Sequence, residues 1–136
     1  MLAIKSIEQN YVPSDKLLKL LEQFRLMVND CIGIGITNNV SSLKALSLKA
    51  YHALEHYDVP SYYKICAISR ASGILASRKK SLRRRVPTKS PYAVKQQLVL
   101  YYGFKLVDNH IRMPLGHGEF LIPLNKHTQE VLSDRF

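Results

Sequence analysis

Two hydrophobic periods divide this chain, and their order limits the folds open to it. Between residues 15 and 85, apolar residues recur at three- and four-residue spacing, as in helices that bury one face. After Pro87 and Pro91 the spacing falls to two, as in strands. Within the first region, Ser14 suits an N-cap with Asp15 in the first turn. Leu17, Leu20, Leu21, Phe24, Met27, Val28 and Cys31 then form the stripe of a helix over 15–32. Gly33, Gly35 and the Asn38-Asn39 pair are expected to break it. Ser41 or Ser42 caps a second helix with Leu43, Leu46, Ala50, Leu54 and Tyr57 on one face, ended by Pro60. Ser61 opens a third, with Ile65, Ile68, Ala71, Leu75 and Leu82 inward and Gly73 as its weak point.

Residues 2–12 alternate loosely and stop at Pro13, which predicts a strand. Tyr92 to Tyr102 alternates more clearly. Further short strands are expected around Phe104–Leu106, Ile111–Leu115 and Phe120–Leu124, with Gly116-His117-Gly118 as a hairpin turn. Pro114 and Pro123 suit edge or bulged strands, and 125–136 suits a short last helix. A lone first strand is not stable, so it must pair with the later ones. The expected fold is therefore α+β: a small antiparallel β-barrel or sheet with a three-helix insertion after the first strand. Residues 1–12 and 88–136 would make the β-lobe, and 13–87 the helical insertion.

Charge is as unevenly placed as periodicity. The net charge is +10. From Val59 to Val107 there are eleven Lys and Arg residues and no Asp or Glu, while the rest carries nine basic against ten acidic residues. A solvated surface ordinarily mixes its signs. Within this stretch Arg78, Lys79, Lys80, Arg83, Arg84 and Arg85 fall in eight residues, at the C-terminal end of the third helix. Such a cluster suits a polyanion, because each phosphate contact releases condensed counterions and arginine bonds phosphate bidentately. Arg70, Ser77 and Arg84, seven apart, form a stripe along the helix, and Lys89 and Lys95 continue the charge beyond it. The strand face of Lys95, Gln97 and Tyr101 extends the footprint, with Tyr101 placed either to stack on a base or to pack in the sheet. An anionic membrane surface or a protein partner is the competing explanation of the charge.

Other chemistry is weakly encoded. His52-Ala53-Leu54-Glu55-His56 has the His-x-x-Glu-His spacing of inverted zinc proteases, but the pattern is short and no third ligand is evident, so the expected reading is two histidines on the polar side of the second helix. Gly33-Ile34-Gly35 lacks the third glycine of a dinucleotide loop. Asp30 and Asp108 are too scattered to argue for a two-metal site. Cys31 and Cys66 are expected to stay reduced. No cofactor or metal is expected. No apolar run approaches the roughly 20 residues of a membrane span, and no signal-peptide block is evident, so the expected compartment is the cytoplasm.

The order of elements, with Asn29 in the first helix, Ala67-Ile68-Ser69-Arg70-Ala71 leading into the basic run, then Pro91-Tyr92, Phe104-Lys105-Leu106 and Ile111-Arg112-Met113-Pro114-Leu115, resembles the N-terminal region of TnpB-type RNA-guided endonucleases of insertion sequences. These are relatives of type V CRISPR effectors. The resemblance spans essentially the whole chain and rests on order and pattern. It implies a wedge-like barrel split by a helical recognition insertion that holds guide RNA or a guide–target duplex through backbone and shape. The family's catalytic part, a RuvC-like domain with a Cys-x-x-Cys zinc ribbon, would lie beyond Phe136, and Cys31 and Cys66 do not replace the ribbon. The expected function is thus a truncated relative or fragment that binds RNA or DNA through phosphates and is not itself an enzyme. Its partner would be guide-like RNA or an RNA–DNA duplex, with a homo-oligomer or separate nuclease subunit possible and no membrane. A protein-interaction or oligomerisation scaffold without nucleic acid is the alternative.

Overall fold

A computed structural model describes residues 14–95, 98, 105–107, 109–115 and 118–133. Helix α1 (Asp15–Asn38) begins where the Ser14 hydroxyl oxygen accepts the Leu17 N–H at 3.2 Å, the expected cap. It does not stop at Gly33. Ile32 and Gly35 are buried, so core packing continues past the glycines and outweighs their cost of about 1 kcal/mol each in a helix interior. Gly35 serves close approach: a Cβ there would overlap Leu75 Cδ1 and lie 3.0 Å from the Val40 carbonyl oxygen. The helix ends only at Asn39, whose φ of 54° is left-handed. There the Val40 N–H donates to the Gly35 carbonyl at 2.9 Å and the Asn39 N–H to that of Ile36 at 3.3 Å.

Helix α2 (Leu43–Ala50) is capped by Ser42, which accepts the Ala45 N–H at 3.2 Å. It is shorter than expected and continues as a 3-10 turn over His52–Leu54. Leu46, Ala50 and Leu54 nevertheless stay buried. Helix α3 (Ser61–Arg83) packs against both α1 and α2 and buries Tyr63, Cys66, Ala67, Ile68, Ala71 and Leu75. Two residues expected inward are exposed. Ile65 falls off the stripe set by Tyr63, Cys66 and Ala67, and Leu82 lies at the level of Asn39–Ser41, where α1 has ended.

The sheet is smaller than expected. Strands β1 (Lys105–Val107), β2 (His110–Leu115) and β3 (Gly118–Pro123) form an open antiparallel sheet in the order β1-β2-β3. Arg112 pairs with Lys105 and Leu121, and Leu115 with Gly118. That last pair agrees with the expected hairpin, although its turn residues 116–117 lie outside the described set. Met113 is buried and Ile111 and Ile122 pack on the helical core, while Arg112 and Leu121 face away from it. Helix α4 (Lys126–Ser133) follows, with the Thr128 N–H donating to Asn125 Oδ1 at 2.7 Å.

The barrel expectation is therefore corrected: the described chain is mostly helical, with one open three-stranded sheet. Three strands of three to six residues are too few to close. The described start of the alternating segment, Tyr92–Lys95, is not strand: it runs as irregular chain, and Ala93 finds its partners on α1 instead, while 96–97 and 99–102 lie outside the described residues. The expected first strand, 2–12, lies outside the described residues.

The two α1 glycines should separate in substitution. Gly35→Ala should destabilise by about 1–3 kcal/mol in urea melts, since Leu75 must move. Gly33→Ala, with nothing within 4 Å of a Cβ, should gain up to about 1 kcal/mol. Equal effects at both positions would contradict the packing described.

Candidate nucleic-acid interface

The last turn of α3 is closed by its own backbone. The Val86 N–H donates to the Ser81 carbonyl at 3.1 Å and the Arg85 N–H to that of Leu82 at 3.0 Å. This closure requires a left-handed residue, and Arg85 takes it with φ 58° where glycine is the usual choice. The chain thus turns at the centre of the cation cluster, which spreads the arginines outward. Lys80, Arg83, Arg84 and Arg85 are all exposed, as are Lys89 and Lys95 farther on. Lys80 and Arg83 also face the negative end of the helix dipole, which favours cations there.

The basic run does not act as one surface. Arg78 is half-buried and, with Lys79, lines a small recess against Gly35, Asn39, Val40 and Ser41 at the end of α1. The Arg78 Nε is shielded and has no hydrogen-bond partner among the described residues. The negative end of α1 supplies a structural role for these two cations. Arg70, by contrast, is exposed and lies apart from the tip. From Arg70 to Arg84 the helix rises about 21 Å at ~1.5 Å per residue. The predicted stripe is kept, with Arg70, Ser77 and Arg84 all exposed.

Arg70 meets a second group of residues through a clasp between α1 and the linker. Asn29 Oδ1 accepts the Ala93 N–H at 2.5 Å, and its Nδ2 donates to the Ala93 carbonyl at 3.0 Å. Arg25 Nη1 donates to the same carbonyl at 3.2 Å. One side chain thereby satisfies both backbone groups of Ala93, as a neighbouring strand would. The clasp forms a cleft of about 290 Å³ floored by Phe24, Val28 and Ile74 and rimmed by Arg25, Arg70, Tyr92 and Lys95. Arg25 is also bound by Glu22, through Nε at 3.1 Å and through Nη2. That pairing holds the Arg25 guanidinium protonated above its usual range.

Ion pairs join Glu22 to Arg25 and Glu55 to His52. Arg70, Lys79, Lys80, Arg83, Arg84, Arg85, Lys89 and Lys95 make none among the described residues. Tyr101 lies outside the described residues. Arg25 and Tyr92 were not expected in the site. Arg25 sits on a helix of mixed charge, and Tyr92 reads as one more alternating strand residue. The one signal for Tyr92 was its place directly after Pro91, within an acid-free stretch.

The other candidate chemistries look different in three dimensions. His52, Glu55 and His56 are exposed around the 3-10 turn, where His52 Nδ1 is 2.6 Å from Glu55 Oε1 and the His56 ring lies 4.2 Å from that of Tyr57. The continuous helix that would align the two histidines is absent at this point. Among the described residues no three His, Cys, Asp or Glu side chains gather as a metal site. Cys31 and Cys66 are buried free thiols, and burial pushes the Cys31 thiol up to about 12, far from a reactive thiolate. Among the described residues no helix is long and apolar enough to cross a membrane. Comparison with known protein families, curated proteins and solved structures gives no match for this chain.

Because Arg85 carries both a charge and a left-handed turn, its substitutions should divide. Arg85→Gly should leave thermal stability unchanged or raise it by up to about 1 kcal/mol. Arg85→Val should lower it by about 1–2 kcal/mol, as a β-branched residue is disfavoured at positive φ. Equal stability of the two variants would contradict the turn described.

Proposed function

We propose that this protein is a nucleic-acid-binding module without catalysis of its own, which grips phosphates with the C-terminal tip of α3. The observation that carries the reading is the exposed group Lys80, Arg83, Arg84, Arg85 and Lys89, which has no ion pair among the described residues. A cation cluster left uncompensated by its own fold repels itself and gains most from an external polyanion. Phosphate contacts of this kind set position and supply affinity with little sequence readout. The sequence resemblance to the N-terminal region of TnpB-type endonucleases favours structured RNA or an RNA–DNA duplex as the ligand, in the cytoplasm. Cleavage, on this reading, belongs to a separate subunit.

Leu43, Leu48 and Tyr51 remain exposed on and just after α2, with Leu48 at 75%. They favour a second reading, self-association through α2. Light scattering across a concentration series decides it: a constant monomer mass excludes that reading.

The binding test uses Arg83→Ala and Arg84→Ala combined with Arg85→Gly, so that the left-handed turn is preserved. Fluorescence anisotropy with several unrelated RNA duplexes should show affinity falling about tenfold or more, alike for all of them. Unchanged affinity removes the tip from the interface, and loss confined to one sequence contradicts a phosphate-dominated mode.

A further inference from the structure

The cleft between α1, α3 and the clasped linker has a different character from the tip of α3. Its floor is apolar: Phe24 and Val28 are buried and Ile74 is half-buried. Its rim carries two exposed cations, Arg70 and Lys95, neither with an ion pair among the described residues. The third, Arg25, is committed to Glu22 and to the Ala93 carbonyl. The rim also carries Val94 and Tyr92, the latter a large aromatic left 73% exposed although it directly precedes Ala93, whose two backbone groups Asn29 holds.

We propose that this cleft is a subsite for one unpaired nucleotide of a bound strand. The base stacks on the Tyr92 ring over the apolar floor, and the adjoining phosphate lies between Arg70 and Lys95. The inference rests on the nucleic-acid reading above and refines it, since the tip alone would treat paired and unpaired strands alike.

Three observations support this occupant. The cleft, at about 290 Å³, lies just below the ~300–1,000 Å³ typical of small-ligand sites, enough for a base and too small for a duplex. An aromatic face beside cations is the combination that binds single strands without sequence preference, because every base has a π-face. The clasp by Asn29 holds the linker at Ala93, next to Tyr92, so little ordering is required when the base arrives. The exposed Arg70–Ser77–Arg84 stripe then gives the strand a polar path of about 21 Å, at ~1.5 Å per residue, with an arginine at each end, from the cleft to the tip.

The test compares two probes on the full chain: a blunt A-form RNA duplex, and the same duplex with a three-nucleotide single-stranded overhang. The wild-type protein should bind the overhang probe roughly tenfold more tightly, the scale of one base–aromatic stack. Tyr92→Leu should abolish that preference and leave blunt-duplex affinity and its salt dependence unchanged. Tyr92→Phe should retain the preference. Equal wild-type binding of both probes overturns the subsite while leaving the phosphate-binding tip intact, as does an undiminished preference in Tyr92→Leu. Failure of the wild-type protein to bind either probe overturns the tip and the subsite together.

Discussion

Helices α1 and α3 share one apolar seam, from Leu17 to Ile32 on one side and from Tyr63 to Leu75 on the other, and the rest of the molecule is placed by it. Each large side chain fully buried there contributes about 1.5–3 kcal/mol. The seam closes at Gly35, where the missing Cβ lets Leu75 reach the α1 backbone. Beyond that point α1 ends, and α3 continues for about two more turns with no partner helix among the described residues. Leu82 is exposed there for the same reason, and so are the arginines that follow it.

The geometry therefore converts a charge run into distinct surfaces. Cations beside the seam's end, Arg78 and Lys79, sit against the α1 C-terminus. Those past it make no ion pair among the described residues. The left-handed turn at Arg85 keeps them from following one helical face. Meanwhile Asn29 returns the outgoing chain to α1 and sets Tyr92 and Lys95 beside Arg70, well before the tip in sequence. The charged end and the aromatic end of the proposed binding surface follow from two local events, one backbone closure and one side-chain clasp.

Much of the helical part was legible in the sequence because it depends on local pattern. Ser14 and Ser42 cap as hydroxyls before apolar stripes do, and the α1 stripe from Leu17 to Cys31 is buried as read. The glycines at 33 and 35 were misread because a propensity rule cannot see Leu75, forty residues away in sequence. Ile65 and Leu82 were misread because periodicity gives a face and not the length of the partner that covers it. The barrel failed for a related reason: alternation at Tyr92–Lys95 is necessary for a strand but does not supply a neighbour, and Asn29 supplied the hydrogen bonds instead. The exposed tip was legible because its charges have no acid nearby in sequence. The cleft was not, since it joins Arg25, Arg70 and Tyr92 from three separate segments.

The central claim is that the tip of α3 binds by displacing counterions from phosphates, and salt dependence measures this most directly. If the five cations of the tip engage a duplex, log Kobs against log[salt] should fall with a slope of about −4.5. A slope near zero would mean that binding, where seen, does not run through the cations, and the account would be wrong.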